Sequence, residues 1–133
     1  MKQEYEEKLH KDFPLLYADK DKSPEESLIC FGFECGDGWY TLLRNLSAKL
    51  ESAIMRHIQE NPTDEYRPRA VQVKEKFGGL RFYMTSETPE ISDFIRAAER
   101  KSYETCEACG EVGTTGGKGW ISTLCEKCRG KQK

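Results

Sequence analysis

Four cysteines near the C-terminus, Cys106, Cys109, Cys125 and Cys128, stand in the order C-x₂-C-x₁₅-C-x₂-C. Each C-x-x-C closes a tight turn that aims two sulfurs at one point. The spacer carries Gly113, Gly116, Gly117 and Gly119, enough glycine to double back and join the pairs. Gly110 follows the first pair directly, whereas the second pair reaches a glycine only at Gly130. This spacing predicts a zinc ribbon: a closed four-thiolate site holding one structural Zn²⁺. A redox dithiol pair or an iron–sulfur centre is the alternative, but iron–sulfur clusters more often use tighter or different spacings. Trp120-Ile121 reads as a short strand, with Trp120 covering the ribbon.

A metal staple suits the rest of the chain. Its 133 residues are 37% hydrophobic and 33% charged, so the core is modest and the surface large. Six cysteines raise the possibility of a secreted disulfide scaffold, yet four sit in knuckles and the N-terminus lacks the apolar core of a signal peptide. A reducing, cytoplasmic location is expected. No apolar run reaches membrane-spanning length. Cys30 and Cys35, with four residues between them, read as small buried hydrophobes. His10 and His57 are isolated, and no Cys/His or Ser/His/Asp constellation can be assembled, so no enzymatic activity is expected.

The remaining chain divides by period. Residues 2–12 predict a charged helix with Tyr5, Leu9 and Phe13 on one stripe, stopped by Pro14. Residues 19–26 read as a loop. Alternation over 28–34 predicts a half-buried strand with Ile29, Phe31 and Phe33 on one face. Cys35 to Gly38 reads as a turn, with Asp37 as N-cap of a long helix from Trp39 to about Gln59. Val71–Phe77 and Leu80–Thr85 predict a hairpin turning on Gly78-Gly79, which pairs Phe77 with Leu80, Glu75 with Phe82 and Val73 with Met84. Thr88-Pro89-Glu90 opens a helix that runs to about Tyr103. The expected fold is α+β: helices packed on a small antiparallel hairpin sheet, with a body over 1–104 and the ribbon over 105–133.

Two surfaces stand out. Lys74, Lys76, Arg81 and Tyr83 share the outer hairpin face, with Arg67 and Arg69 just before it, and suit contacts to a partner or to phosphates. Lysines on a solvated sheet face are also routine edge protection. Glu75 falls on the apolar face and needs a partner there or a bulge. Charge gives nucleic-acid binding little help. Residues 96–133 carry five acidic and eight basic side chains, and four thiolates around Zn²⁺ add a net −2, leaving that segment near +1.

Three stretches together, Gly36-Asp37-Gly38-Trp39-Tyr40, Val73-Lys74-Glu75-Lys76-Phe77-Gly78-Gly79-Leu80-Arg81-Phe82-Tyr83, and Cys106 through Gly119-Trp120 to Cys128, resemble a group of small bacterial and phage proteins. Many members place a histidine near the last ligand, where this chain has Cys128. The resemblance implies a phage or prophage setting and no particular reaction. The expectation is a noncatalytic binding module with a protein partner, such as a phage-encoded modulator or inhibitor of a host defence protein. A nucleic-acid-binding regulator using the ribbon and the basic hairpin face is the alternative.

Overall fold

The computed structural model describes residues 1–131, so the last two residues of the expected 105–133 ribbon segment lie outside it. The chain is α+β, with a three-stranded sheet in the body and a two-stranded sheet in the C-terminal segment. Helix α1 (Gln3–Asp12) buries Leu9 and hands the chain on at Phe13, also buried. The loop after it is not loose. The amides of Leu15 and Leu16 donate to the Glu51 carboxylate at 3.0 and 2.8 Å, and buried Asp19 holds the Arg69 Nε at 2.9 Å.

The predicted strand over 28–34 is the first correction. Leu28–Phe31 forms one 3₁₀ turn, capped by the Ser27 hydroxyl accepting from the Ile29 amide at 3.4 Å. Gly32 then takes φ +74°, which breaks the alternation, so Ile29 and Phe33 are buried while Phe31 is 60% exposed. Only Phe33–Glu34 remains extended, as strand β1.

Helix α2 (Tyr40–Glu60) buries Leu42, Leu43, Leu46, Leu50, Ala53 and Ile54, the stripe its period predicts. Asp37 does not cap it. A short 3₁₀ turn over Asp37–Trp39 leads into the helix, and the Asp37 carboxylate accepts from the Lys2 amide at 2.7 Å instead.

Strands β2 (Ala70–Lys76) and β3 (Gly79–Met84) form the expected hairpin, but the turn sits one residue earlier, so each β2 residue pairs two positions away from its expected β3 partner. The turn residues are Phe77 (φ +53°) and Gly78 (φ +84°), a pair of positive values that matches the twist of a two-residue hairpin. Glu75 therefore pairs with Leu80, Lys74 with Arg81 and Val73 with Phe82. Phe77 leaves the core face and is 65% exposed. The Glu75 carboxylate accepts from the Gly78 amide at 2.6 Å, so it braces the turn rather than entering the core unpaired. Strand β1 joins β2 in parallel, giving the order β1-β2-β3.

Helix α3 (Pro89–Ser102) begins as its sequence predicts, with Thr88 accepting from the Ile91 amide at 3.3 Å and proline in the first turn. It covers the free edge of β3. The Leu80 amide donates to Ser102 Oγ at 2.9 Å, and the Phe82 amide donates to Glu99 Oε2 at 3.3 Å. A helix thus occupies the donors that an open edge would offer to another strand. No helix among the described residues is long and apolar enough to cross a membrane.

Candidate metal centre

The C-terminal segment is built from β4 (Thr114–Gly116) and β5 (Ser122–Leu124), which pair antiparallel, and a short helix α4 (Glu126–Gly130). The first knuckle precedes β4. In it the Gly110 amide returns to the Cys106 carbonyl at 2.8 Å, with Gly110 at φ +87°, a conformation that favours glycine there. The second knuckle needs no glycine because it runs straight into α4. Cys125 is the N-cap of that helix, and its sulfur accepts from the Cys128 amide at 3.4 Å.

Cys106, Cys109, Cys125 and Cys128 offer sulfurs that all lie within 4.8 Å of one another. Cys106 is buried, Cys109 exposed, and the other two are half-buried. Four soft donors converging on one point, with backbone amides already aimed at them, fit a metal ion with no open coordination position. Burial pushes the Cys106 thiol up, but amide hydrogen bonds from Cys125, Cys109 and Ala108 outweigh it and bring it to about 6. Hydrogen bonds with the Cys125 and Cys109 sulfurs hold the Cys128 thiol up at about 12.

The four-cysteine cluster is packed into the body on two sides. On one side, the Gly36 amide donates to the Glu107 carboxylate and the Gly38 amide to the Glu107 carbonyl, each at 2.8 Å. A Cβ on Gly38 would overlap the Cys106 carbonyl oxygen, and one on Gly36 the Glu107 carbonyl oxygen. Next in the chain, buried Trp39 donates its indole N–H to the Thr105 carbonyl at 2.8 Å. On the other side, the hairpin tip meets β4 and β5. Thr123 Oγ1 donates to the Gly78 carbonyl at 2.6 Å, and a Cβ on Gly79 would overlap the Tyr103 ring. Arg129, directly after the last cysteine, forks across the carbonyls of Thr114, Gly116 and Ser122 at 2.7 to 3.2 Å and ties the two ribbon strands together.

The sequence assigns Gly36, Gly38, Gly78 and Gly79 to turns alone, and their docking roles appear only in the fold. The available signal was Gly79: a two-residue turn over Phe77-Gly78 leaves it inside a strand, where glycine marks a close approach. Trp120 is the other correction. It is 77% exposed and does not cover the ribbon, and the strand begins at Ser122 rather than at Trp120. Cys30 and Cys35 lie apart from the metal cluster. Cys35 is buried, and burial followed by the Glu107 charge pushes its thiol up to about 12. His57 lies 2.8 Å from Asp64, and His10 packs against the Tyr17 and Phe33 rings.

The residues expected to contact a partner are divided by the fold. Lys74, Arg81 and Tyr83 share the outer sheet face with Lys76. Arg81 also reaches the Leu80 carbonyl and the Tyr103 hydroxyl, each at 3.1 Å. Arg69 is committed to Asp19 and to the Arg67 carbonyl, while Arg67 itself is exposed at the entry to the hairpin. Behind the first knuckle, a groove of about 1170 Å³ lies between α2, α3 and Val112 to Thr115. Set against protein-family models, curated proteins and solved structures, the chain finds no significant match, so its role is read from this geometry.

Proposed function

We infer that the chain is a zinc-braced, noncatalytic binding module. One observation carries the reading: four converging cysteine sulfurs sit where the Gly36–Trp39 loop and the hairpin tip dock. A metal there fixes tertiary structure. Zinc is the ion of choice because four thiolates in a closed tetrahedral site, with no position for water or substrate, match its structural sites. What the bracing achieves is a rigid display surface for a macromolecular partner. The resemblance of the three motifs supports a phage or prophage setting, in which a small module of this kind acts by binding a host component.

The test is metal analysis of the purified full chain together with its response to a chelator. One zinc per chain is expected, with loss of Trp39 near-ultraviolet signal on chelation and recovery on adding zinc. Iron in stoichiometric amount, or no bound metal in a folded protein, overturns the zinc assignment. Turnover of a nucleotide or peptide by the zinc-loaded protein overturns the noncatalytic one.

A further inference from the structure

The outer face of the β1-β2-β3 sheet carries Lys74, Lys76 and Arg81 together with exposed aromatic rings, and Arg81 is held there by the neutral oxygens of Leu80 and Tyr103. The register sets Lys74 directly opposite Arg81 and Gln72 opposite Tyr83. Two cations facing each other across a strand pair repel, which costs stability unless something anionic lies over them. Among the described residues neither Lys74, Lys76 nor Arg81 forms an ion pair. Glu34, beside Lys74 on the edge strand, shares this face and accepts from Gln72 at 3.4 Å.

Exposed rings run along the same hairpin. Tyr83 is 44% exposed on the face, Phe77 is 65% exposed at the tip, and Tyr66, before β2, is 84% exposed next to Arg67. Lys76 Nζ stands 5.7 Å from the Phe77 ring centre. Burying such rings in the core would be the ordinary outcome, and the turn at Phe77-Gly78 prevents it by moving Phe77 out of register.

We propose that this sheet face binds single-stranded nucleic acid, the backbone phosphates lying over Lys74, Lys76 and Arg81 and bases stacking on Tyr83 and Phe77. This rests on reading the chain as a binding module and names its partner class. Interleaved cations and rings on an open, rigid sheet are what single strands need, because their bases are free to stack. A duplex hides its bases and gains nothing from the rings. Strand β2 is seven residues long, about 24 Å at roughly 3.4 Å per residue, room for a few nucleotides. Lysine–phosphate contacts make the binding depend on salt.

The experiment is fluorescence anisotropy of the zinc-loaded full chain with labelled single-stranded oligonucleotides, one DNA and one RNA, of about 12 nucleotides. With three phosphate contacts, affinity is expected to fall roughly 20-fold between about 50 and 200 mM salt. The K74Q/K76Q double variant lowers that drop to about threefold. Tyr83→Ala weakens binding by about 5- to 150-fold, and Tyr83→Phe restores it because the ring remains. Absence of binding to both oligonucleotides at low salt overturns the proposal, as does binding that ignores these variants or is as tight to a duplex. A folded, zinc-containing protein that binds neither strand removes the nucleic-acid partner and leaves the braced module standing. A protein partner whose binding is abolished by the same lysine and tyrosine variants assigns the face to protein and overturns the proposal.

Discussion

Gly38 and Gly116 differ only in what surrounds them. Both lack a strained φ, but a Cβ on Gly38 would overlap the Cys106 carbonyl, while one on Gly116 meets nothing within 4 Å. Gly38→Ala is therefore expected to cost about 1–3 kcal/mol, in the range of overpacked sites, and Gly116→Ala to be near neutral. Urea unfolding of the two variants checks the contrast, and equal effects would refute the close approach. Glu99 makes a second residue-scale case. Burial raises its carboxyl above the ordinary range, and the Phe82 amide and Arg81 only partly oppose that. A raised folded value means that its contribution is greatest at low pH and is lost as pH rises through that value. Glu99→Gln keeps an acceptor for the Phe82 amide and carries no charge. It should melt above the parent at about pH 8, with the gap narrowing towards about pH 5, in thermal scans of both proteins. Neither case was legible beforehand, because each depends on a neighbour distant in sequence.

Elements with a strong local signal were read correctly. The α2 stripe and the Thr88-Pro89 start of α3 follow from side-chain period and capping chemistry alone. The hairpin was legible as a hairpin, but not in register. Phe77-Gly78 and Gly78-Gly79 are both plausible turns locally; the fold uses the first and places Gly79 in the strand, against the Tyr103 ring. The 28–34 segment failed for a related reason: alternation is a weak signal over a few residues, and Gly32 at φ +74° cancels it. The β3 edge yields a prediction at this scale. Ser102→Ala leaves the Leu80 amide without its partner in a fully buried setting, for an expected loss of about 1–3 kcal/mol. Urea denaturation should show a lower midpoint with an unchanged slope. An unaltered midpoint would mean that α3 does not protect that edge.

For the whole molecule, hydrogen bonds join the four-cysteine cluster to the body on two sides. Chelation should therefore disturb more than the ribbon, because Trp39 and the Gly78 carbonyl both take hydrogen-bond partners from it. A chain truncated before Thr105 is expected to melt well below the full protein, and circular dichroism would check this; equal melting would show that the body stands without its C-terminal segment. The four-cysteine cluster, the main helices and the α+β class were determined by the sequence itself. Each is written in local chemistry: knuckle spacing, a helical period, a cap. The docking glycines, the Arg129 fork, the turn at Phe77-Gly78 and the exposure of Trp120 were decided by tertiary structure. These depend on which backbone lies within a few ångströms of a given residue, and that distance is set only when elements far apart in the chain have packed.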